Sequence, residues 1–257
     1  MRLDIYLFNY KYSSSRQKAK RLVESGCVSV DGKIIKKPSF ELCESEEHLI
    51  EIVDNCPYVS RGALKLISAL DNFNLDIREK ICLDIGSSTG GFTQVLLERG
   101  AKKVYAVDSG TDQLNRVLKE DSRVISIEGY NARNIRIDDI GECADIITID
   151  VSFISQTYIL PGAVSLLKEN GFIVSLIKPQ FEVGRSLLGK GGLVKDKASR
   201  LLAVERVVEC ANNNHLQCCG LLKSPIHGGD GNIEFLAIFS KNVAVKEINI
   251  KNIVFNT

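Results

Sequence analysis

Four charged residues lie on or at the ends of predicted strands and a predicted helix, and two of them, Asp150 and Lys178, should point into a ligand crevice. Asp150 ends the apolar run ADIITID, and Lys178 ends FIVSLIK just before a proline. Glu234, in NIEFLAIFS, shares a strand face with apolar side chains, so its carboxylate needs a partner if it is buried. Lys65 lies off the apolar stripe of an amphipathic segment, residues 61–73. We expect the two lysines and two acids to form a balanced polar cluster, although Lys65 alone could be a solvated lysine and Asp150 a helix cap.

A glycine-rich turn, DIGSSTGGF at residues 84–92, follows the first strand-like run of this region. Glycines let the backbone turn sharply and approach a ligand, and the helix that follows offers free N–H groups. The spacing G-x-x-x-G-G lacks the G-x-G-x-x-G fingerprint of dinucleotide-binding proteins. Asp108, at the end of the next strand-like run, could accept both ribose hydroxyls of an adenosine-type ligand or could cap the following helix.

The elements that must position these residues alternate between strand-like and helix-like segments. Strand-like runs cover residues 80–86, 102–108, 123–129, 144–150 and 171–178, with helix-like segments around 91–99, 111–119 and 156–168. This alternation predicts a parallel, doubly wound α/β sheet that binds ligands beyond the carboxyl ends of its strands. A long helix near 196–213 precedes HLQCCGLL and IEFLAIFS, two strand-like runs without a helix between them. Their close spacing predicts one antiparallel strand, which distinguishes methyltransferase sheets from dinucleotide-binding ones.

The first forty residues form a basic module. They carry nine basic and three acidic side chains, a local charge of +6, whereas residues 41–60 carry six acidic and no basic ones. The pattern predicts helix, turn, helix and hairpin, with a capping box at Ser14 and Gln17 and a hairpin turn at Asp31-Gly32. The basic side chains of the second helix are candidates for binding a phosphate backbone: Arg16, Lys18, Lys20 and Arg21. A basic helix can also be only a solvated face.

Composition narrows the class of protein. The chain has 257 residues, 44% of them hydrophobic, and a net charge of +1, which excludes a disordered tail, a fibrous repeat and a globally basic nucleic-acid-binding protein. The eight cysteines include no pair at C-x-x-C spacing, so neither a zinc module nor a disulfide framework is indicated, and we expect no metal. Because no apolar run has the length of a signal peptide or a membrane span, we expect a soluble, cytoplasmic protein with no membrane partner.

Several strings of the sequence resemble known families. The N-terminal string RLDIYLFNY, continued by SSSRQKAKRLVESGCVSVDGKIIKKP, resembles the small RNA-binding fold first recognised in ribosomal protein S-four. The strings YVSRGALKL, CLDIGSSTGGFTQVLLERGAKKVYAVD, IDVSFIS, LIKPQFEVGR and GNIEFL resemble the haemolysin-A (TlyA-type) ribosomal RNA 2'-O-methyltransferases. The catalytic domain of that family is similar to the FtsJ/RrmJ heat-shock methyltransferases, and the similarity runs through nearly the whole chain.

The resemblance implies a class I, Rossmann-like methyltransferase domain at residues 59–257 and a small α/β RNA-binding domain with a linker at residues 1–58. The family's catalytic pattern falls on Lys65, Asp150, Lys178 and Glu234. Its cofactor pattern falls on Gly86, Ser87, Ser88, Gly90, Gly91, Phe92, Asp108 and Asn131. The implied methyl donor is S-adenosylmethionine, and the implied acceptor is the 2'-hydroxyl of a cytidine in ribosomal RNA, with ribosomal RNA or ribosomal subunits as the partner.

The same resemblance suggests roles for the four charged residues. Lys178 would act as the base or as the group that orients the 2'-hydroxyl, Asp150 would be its partner beside the sulfonium, and Lys65 with Glu234 would position them. The short N-terminus, beginning at Arg2, is similar to the shorter form of the family, which is associated with large-subunit RNA. Two alternatives remain, a non-catalytic RNA-binding ribosome-assembly factor and a membrane-lysing haemolysin. The intact charged quartet disfavours the first, and the lack of a signal segment or a long amphipathic basic helix argues against the second.

Overall fold

A computed structural model of the chain describes residues 1–13, 15–24, 26–43, 48–52, 57–242 and 248–256. The chain divides into two compact units, Met1–Pro57 and Tyr58–Thr257. The first unit contains the basic module, and the second contains the alternating segments and all four charged residues. Each unit has an apolar core of its own.

Within its described residues, the first unit has two helices and a small antiparallel sheet. Its elements are α1 (Leu3–Asn9), α2 (Arg16–Glu24), β1 (Val28–Val30), β2 (Lys33–Ile34) and β3 (Ile50–Ile52). The strand order is β2-β1-β3, with both neighbours antiparallel to β1. The two helices and the hairpin agree with the sequence prediction, but β3 was not predicted because three residues are too few to show an alternating pattern.

The hairpin turn and the start of α2 have the local geometry that their residue types predict. Asp31 and Gly32 both have positive φ, 51° and 76°, as a two-residue turn between twisted strands requires. At the start of α2, the Ser15 hydroxyl accepts a hydrogen bond from the Lys18 N–H at 3.2 Å. The predicted capping box depends on Ser14, which lies outside the described residues.

The second unit alternates strands and helices along most of its length. Its strands are β4 (Ile81–Ile85), β5 (Lys103–Val107), β6 (Val124–Ile127), β7 (Ala144–Ile149), β8 (Leu167–Ile177), β9 (Gln217–Lys223) and β10 (Phe235–Ser240). Its α-helices are α3 (Ala63–Phe73), α4 (Gly91–Glu98), α5 (Arg116–Lys119), α6 (Ile137–Ile140), α7 (Leu160–Ser165), α8 (Pro179–Glu182), α9 (Lys197–Asn213) and α10 (Ile250–Phe255). Short 3-10 turns lie at Ala132–Asn134, Gln156–Tyr158, Arg185–Leu187 and Lys190–Gly192.

The seven strands form one sheet in the order β6-β5-β4-β7-β8-β10-β9. The five strands β6, β5, β4, β7 and β8 are mutually parallel, and β10 is antiparallel to both β8 and β9. Apolar clusters cover both faces: Tyr105 and Val107 of β5 pack into one cluster, and the alternate residues Val104 and Ala106 into the other. These features confirm the predicted doubly wound α/β sheet with one antiparallel strand.

Two segments differ from the sequence prediction. Of the predicted helix at 111–119, only Arg116–Lys119 is helical, and it begins where the Asn115 side chain accepts a hydrogen bond from the Val117 N–H. The segment 156–168 divides into a 3-10 turn and α7, and β8 then begins at Leu167, earlier than predicted. The early part of β8 pairs irregularly with β7, and Gly171 permits this because a Cβ there would lie 2.8 Å from the backbone oxygen of Asp145.

No α-helix within the described ranges is both long and apolar enough to cross a membrane.

Candidate active site

The sheet topology brings the four predicted charged residues to one edge of the second unit. Asp150 follows β7 and Lys178 follows β8, so both lie at the carboxyl ends of neighbouring parallel strands. Because β10 runs in the opposite direction, its first residues lie at the same edge, and Glu234 immediately precedes that strand. Lys65 comes from α3, which contributes Leu66 and other apolar side chains to the core beside the sheet.

The four residues form two close ion pairs. The Lys65 Nζ lies 2.6 Å from the Glu234 Oε2, and the Lys178 Nζ lies 2.6 Å from the Asp150 Oδ1. The side chains of Lys65 and Glu234 are only 10% and 3% exposed, so the solvated-lysine alternative does not describe Lys65. Asp150 does not cap a described helix either, because Ser155 provides the cap of the next helical turn.

Burial and the nearby lysine charges have opposite effects on the pKa of Glu234. Burial raises the pKa of Glu234 above its ordinary value, while the charges of Lys65 and Lys178 and the hydrogen bond from Lys65 act to lower it. Lys178 also donates a hydrogen bond to the Ser152 hydroxyl at 2.8 Å. Ser152 was not selected from the sequence, since a serine two residues beyond a strand end carries no distinctive pattern. The cluster therefore holds the Lys178 ammonium between a carboxylate and a hydroxyl.

The glycine-rich turn between β4 and α4 approaches the end of β7 closely. Gly86 has φ of +85°, and a Cβ there would overlap the carbonyl oxygen of Asp150. Gly90 also has positive φ, 96°, and a Cβ at that position would overlap the Leu118 side chain. These two positions require glycine for both backbone conformation and space. The turn therefore places its backbone directly beside one of the two ion pairs.

A cavity of about 640 Å³ lies at the same edge, next to Asp150 and Ser152. This volume is within the ordinary range for small-molecule and cofactor sites. Of the eight predicted cofactor-binding residues, four line the cavity: Gly86, Ser88, Asp108 and Asn131. The other four shape the turn without lining the cavity: Ser87, Gly90, Gly91 and Phe92, the last of which is buried in the apolar cluster of α3 and α4.

Asp108 lies at the wall of this cavity and holds two backbone segments together. Its Oδ2 accepts a hydrogen bond from the Ser88 N–H at 2.8 Å, and its Oδ1 accepts one from the Gly110 N–H at 2.7 Å. Each carboxylate oxygen retains a further acceptor site that could receive a hydroxyl. Asn131 uses its side-chain oxygen to accept the Arg133 N–H at 3.1 Å and so begins the short 3-10 turn that borders the cavity.

One buried acid below the site was not selected from the sequence. Asp84, in β4, accepts hydrogen bonds from the hydroxyls of Thr93 at 2.7 Å and Thr148 at 2.8 Å. Burial raises its pKa to about 6, although the two hydroxyls act to lower it. The only available signal was an aspartate within an otherwise apolar strand. Asp84 joins β4, α4 and β7 directly beneath the glycine-rich turn.

The candidate RNA-binding residues lie on α2 but do not share one face. Arg16, Lys18 and Lys20 are exposed, whereas the side chain of Arg21 lies outside the described part of the structure. Lys20 forms a 3.6 Å ion pair with Glu24. Lys18 is two residues from both of the others, so it projects from a different side of the helix.

A buried carboxylate positions two of the arginines of the first unit. The Asp4 carboxylate lies 2.9 Å from the Arg2 Nε and 3.3 Å from the Arg16 Nε. Burial acts to raise the pKa of Asp4, but the hydrogen bonds and charges of the two guanidinium groups outweigh it, so the pKa lies below its ordinary value. Both guanidinium groups remain largely exposed, and Asp4 therefore holds them at the surface without shielding them.

Within the described residues, no cluster of three or more histidine, cysteine, aspartate or glutamate side chains is arranged to hold a metal ion.

Comparisons with known proteins identify the family of each unit. The FtsJ-like methyltransferase family matches residues 58–241, and the S4 domain matches residues 1–48. The 16S/23S rRNA (cytidine-2'-O)-methyltransferase TlyA of Mycobacterium tuberculosis is 39% identical over 91% of this chain and 87% of its own length. The 23S rRNA (cytidine-2'-O)-methyltransferase TlyA of Campylobacter jejuni is 37% identical over 94% of this chain and 100% of its own.

A solved structure from Streptococcus thermophilus, described as a candidate hemolysin, is also similar. It is 40% identical, covers 100% of this chain and 94% of its own, and superimposes with a TM-score of 0.79. These matches confirm the resemblance found in the sequence strings. The chain is a methyltransferase of the FtsJ-like family, with an S4 domain at its N-terminus.

Proposed function

We propose that this protein is an S-adenosylmethionine-dependent ribosomal RNA cytidine-2'-O-methyltransferase that acts on large-subunit RNA. The TlyA relatives from M. tuberculosis and C. jejuni are both named for this reaction, and 23S rRNA is the substrate that the two names share. The observation that carries the proposal is the pair of ion pairs, Lys65–Glu234 and Lys178–Asp150, at the edge of the sheet where a cavity of the size of a cofactor also lies. We expect the protein to act in the cytoplasm, where ribosomal RNA is available.

The cavity suits S-adenosylmethionine in both its size and its polar groups. Asp108 has acceptor capacity for ribose hydroxyls, Gly86 leaves room for close approach, and Ser88 and Asn131 complete the polar wall. The glycine-rich turn would keep this wall in place through Ser87, Gly90, Gly91 and Phe92. When bound, S-adenosylmethionine supplies a methyl group on a positively charged sulfonium, which is already activated for transfer without a metal.

The residues of the chain would orient the acceptor and take its proton. We assign to Lys178 the role of orienting the 2'-hydroxyl or, once the Lys178 ammonium has released a proton of its own to solvent, of accepting the hydroxyl proton, since its Nζ is held at the cavity edge by Asp150 and Ser152. The Asp150 carboxylate lines the cavity and would stabilise the positive charge beside it. We assign positioning roles to Lys65 and Glu234. They form an ion pair with each other, and the Glu234 carboxylate is attracted electrostatically by Lys178. Transfer needs the oxygen, methyl and sulfur in line, which such fixed groups favour.

We assign RNA binding to residues 1–58 and catalysis to residues 59–257. The first of these segments carries the S4 match and the local charge of +6 in its first forty residues. Arg16, Lys18, Lys20 and Arg21 would contact phosphates, and Asp4 would keep Arg16 in place. Because these charges contact the backbone and not the bases, they would add affinity with little sequence preference.

Transfer of labelled methyl groups from S-adenosylmethionine to ribosomal subunits tests the proposal. The wild-type protein should label RNA at one or a few cytidines, and Lys178→Ala should label none while it still binds S-adenosylmethionine. Lys102→Ala, an exposed lysine preceding β5, is the matched control and should retain activity. Near-normal turnover by Lys178→Ala would contradict the catalytic assignment. Ribose-methylation mapping of both ribosomal RNAs, from cells with and without the gene, would identify the nucleotide and the subunit.

The two alternative functions give different results in these experiments. A non-catalytic assembly factor would bind ribosomal subunits without methyl transfer in any variant. A haemolysin would cause erythrocyte leakage as a purified protein, and Lys178→Ala would not change that leakage.

A further inference from the structure

Three tyrosines of the first unit form a stack of aromatic rings at its surface. The ring centroids of Tyr6 and Tyr10 are 4.3 Å apart with 22° between the planes, and those of Tyr6 and Tyr12 are 6.4 Å apart with 24°. Tyr10 is 58% exposed and Tyr12 is 42% exposed. Rings that already stack on one another at a surface leave broad aromatic area in contact with water, which a small unit would ordinarily bury.

The backbone is arranged to bring the third ring onto this stack. Tyr6 and Tyr10 are four residues apart, which places them on one side of α1. The chain then reverses at Lys11, whose φ is +62°, and the Ser13 N–H donates to the Leu7 carbonyl at 3.1 Å. A left-handed conformation costs a lysine about 1–2 kcal/mol, so this turn is imposed by its surroundings. The turn brings the Tyr12 ring back to Tyr6. The Lys11 side chain, between Tyr10 and Tyr12 in sequence, is exposed.

The charge around the stack indicates what it would contact. The aromatic segment lies in the part of the chain with a local charge of +6, and Lys11, Arg16 and Lys18 are exposed cations close to it in sequence. Exposed aromatic rings among basic side chains are the arrangement by which proteins bind unpaired nucleotides, with phosphates held by the cations and bases stacked on the rings. An uncharged apolar partner would gain nothing from these cations.

We propose that Tyr6, Tyr10 and Tyr12 form a stacking platform for an unpaired base of the RNA substrate. The inference rests on the proposed RNA substrate and adds a residue-specific contact to it. Stacking is tolerant of base identity, so the platform favours single-stranded over double-stranded RNA without selecting a sequence. It would hold a looped-out or terminal nucleotide of the ribosomal RNA while the second unit acts on the target.

Binding of the full-length protein to two labelled RNAs tests the platform. The probes are a fluorescein-labelled 12-nucleotide oligocytidine and an RNA duplex of 12 base pairs, followed by fluorescence anisotropy. Tyr10→Ala/Tyr12→Ala should weaken single-strand binding by between about 5-fold and 150-fold, the range for the loss of one base stack, and should change duplex binding far less. Tyr10→Phe/Tyr12→Phe should retain wild-type affinity because stacking needs only the ring.

Phe8→Ala is the matched control, because Phe8 is a 46% exposed aromatic residue of the same helix. It should leave single-strand binding unchanged. As a second readout, the chain contains no tryptophan, so its intrinsic emission comes from tyrosine. Single-stranded RNA should quench that emission in the wild type and much less in Tyr10→Phe/Tyr12→Phe.

The possible outcomes separate the platform from the proposed function. Unchanged single-strand affinity in the double alanine variant, with wild-type binding and methylation intact, would overturn the platform and leave the methyltransferase proposal standing. Normal affinity for protein-free RNA together with reduced methylation of ribosomal subunits would also overturn it, since the tyrosines would then contact protein. Absence of RNA binding and of methylation in the wild type would instead refute the proposed function.

Discussion

The buried pair of Lys65 and Glu234 gives a prediction that separates stability from catalysis. We expect Lys65→Met to lower the free energy of unfolding by about 3 kcal/mol at pH 8, the lower end of the range for breaking a buried ion pair. The buried range applies because the two side chains are almost fully enclosed and their charged atoms are 2.6 Å apart. The lower end applies because Lys178 still attracts the Glu234 carboxylate. An exposed pair would change stability by less than about 1 kcal/mol.

The double variant Lys65→Met/Glu234→Leu should recover most of the lost stability. Its apolar side chains fill similar volume and leave no uncompensated charge, so we expect it to unfold within about 1–2 kcal/mol of the wild type. Neither variant should methylate RNA, since both lack groups that position Lys178 and the 2'-hydroxyl. Restored folding without restored activity would show that the pair is needed for the reaction and not only for the fold.

Urea unfolding followed by circular dichroism measures these differences, with equal m values as the check that each variant exposes the same surface. The pH dependence supplies a second check. In Lys65→Met the pKa of Glu234 should rise further, and a raised carboxyl pKa contributes stability at low pH that is lost as the pH rises through it. The single variant should therefore be closer to the wild type at pH 5 than at pH 8. A loss below about 1 kcal/mol, or methylation by the double variant, would refute the reasoning.

Two further predictions concern the region beneath the cofactor cavity. Gly86→Ala should abolish S-adenosylmethionine binding in calorimetry because its Cβ would overlap the backbone at the end of β7. Gly141→Ala, with φ of +83° and open space around it, should lose only about 1 kcal/mol of stability. An equal loss of S-adenosylmethionine binding in the two variants would show that φ, and not the overlap, decides. Burial raises the pKa of Asp84 to about 6, so its carboxyl contributes stability below pH 4 that is lost as the pH rises through 6. In urea unfolding, Asp84→Asn should therefore gain up to about 3 kcal/mol of stability relative to the wild type between pH 4 and pH 7. Parallel stability curves for the two proteins would contradict this.

The sheet and the positions of the strand-end residues could be predicted because they depend on local patterns. Apolar alternation located the strands, and the rule that ligands bind at the carboxyl edge placed Asp150 and Lys178 without any knowledge of contacts. The partner of Lys65 could not be read from its own helix, since a lysine off the apolar stripe resembles a solvated one. Its partner is 169 residues away in sequence and depends on how α3 sits against β10.

Other parts of the site depended on geometry that no spacing encodes. Phe92 belongs to a glycine-rich turn, and its type fits either a cavity wall or a core; the orientation of α4 directs it into the core. The tyrosine stack depends on a left-handed turn at Lys11, a residue type that gives no signal for positive φ. Predictions from sequence were therefore strongest where periodicity decides and weakest where one backbone angle decides.

The insertion of β10 between β8 and β9 has a consequence for how the enzyme is made. A ribosome delivers the chain from its N-terminus, so β8 and β9 emerge before the strand that must join them, and β9 cannot enter the sheet until β10 arrives. Glu234 emerges just before β10, and until then Lys65 lacks the carboxylate with which it is buried in the folded unit. If Glu234 has the positioning role proposed above, a nascent chain is inactive until β10 is inserted, and assembly of the sheet and completion of the charged cluster are one event.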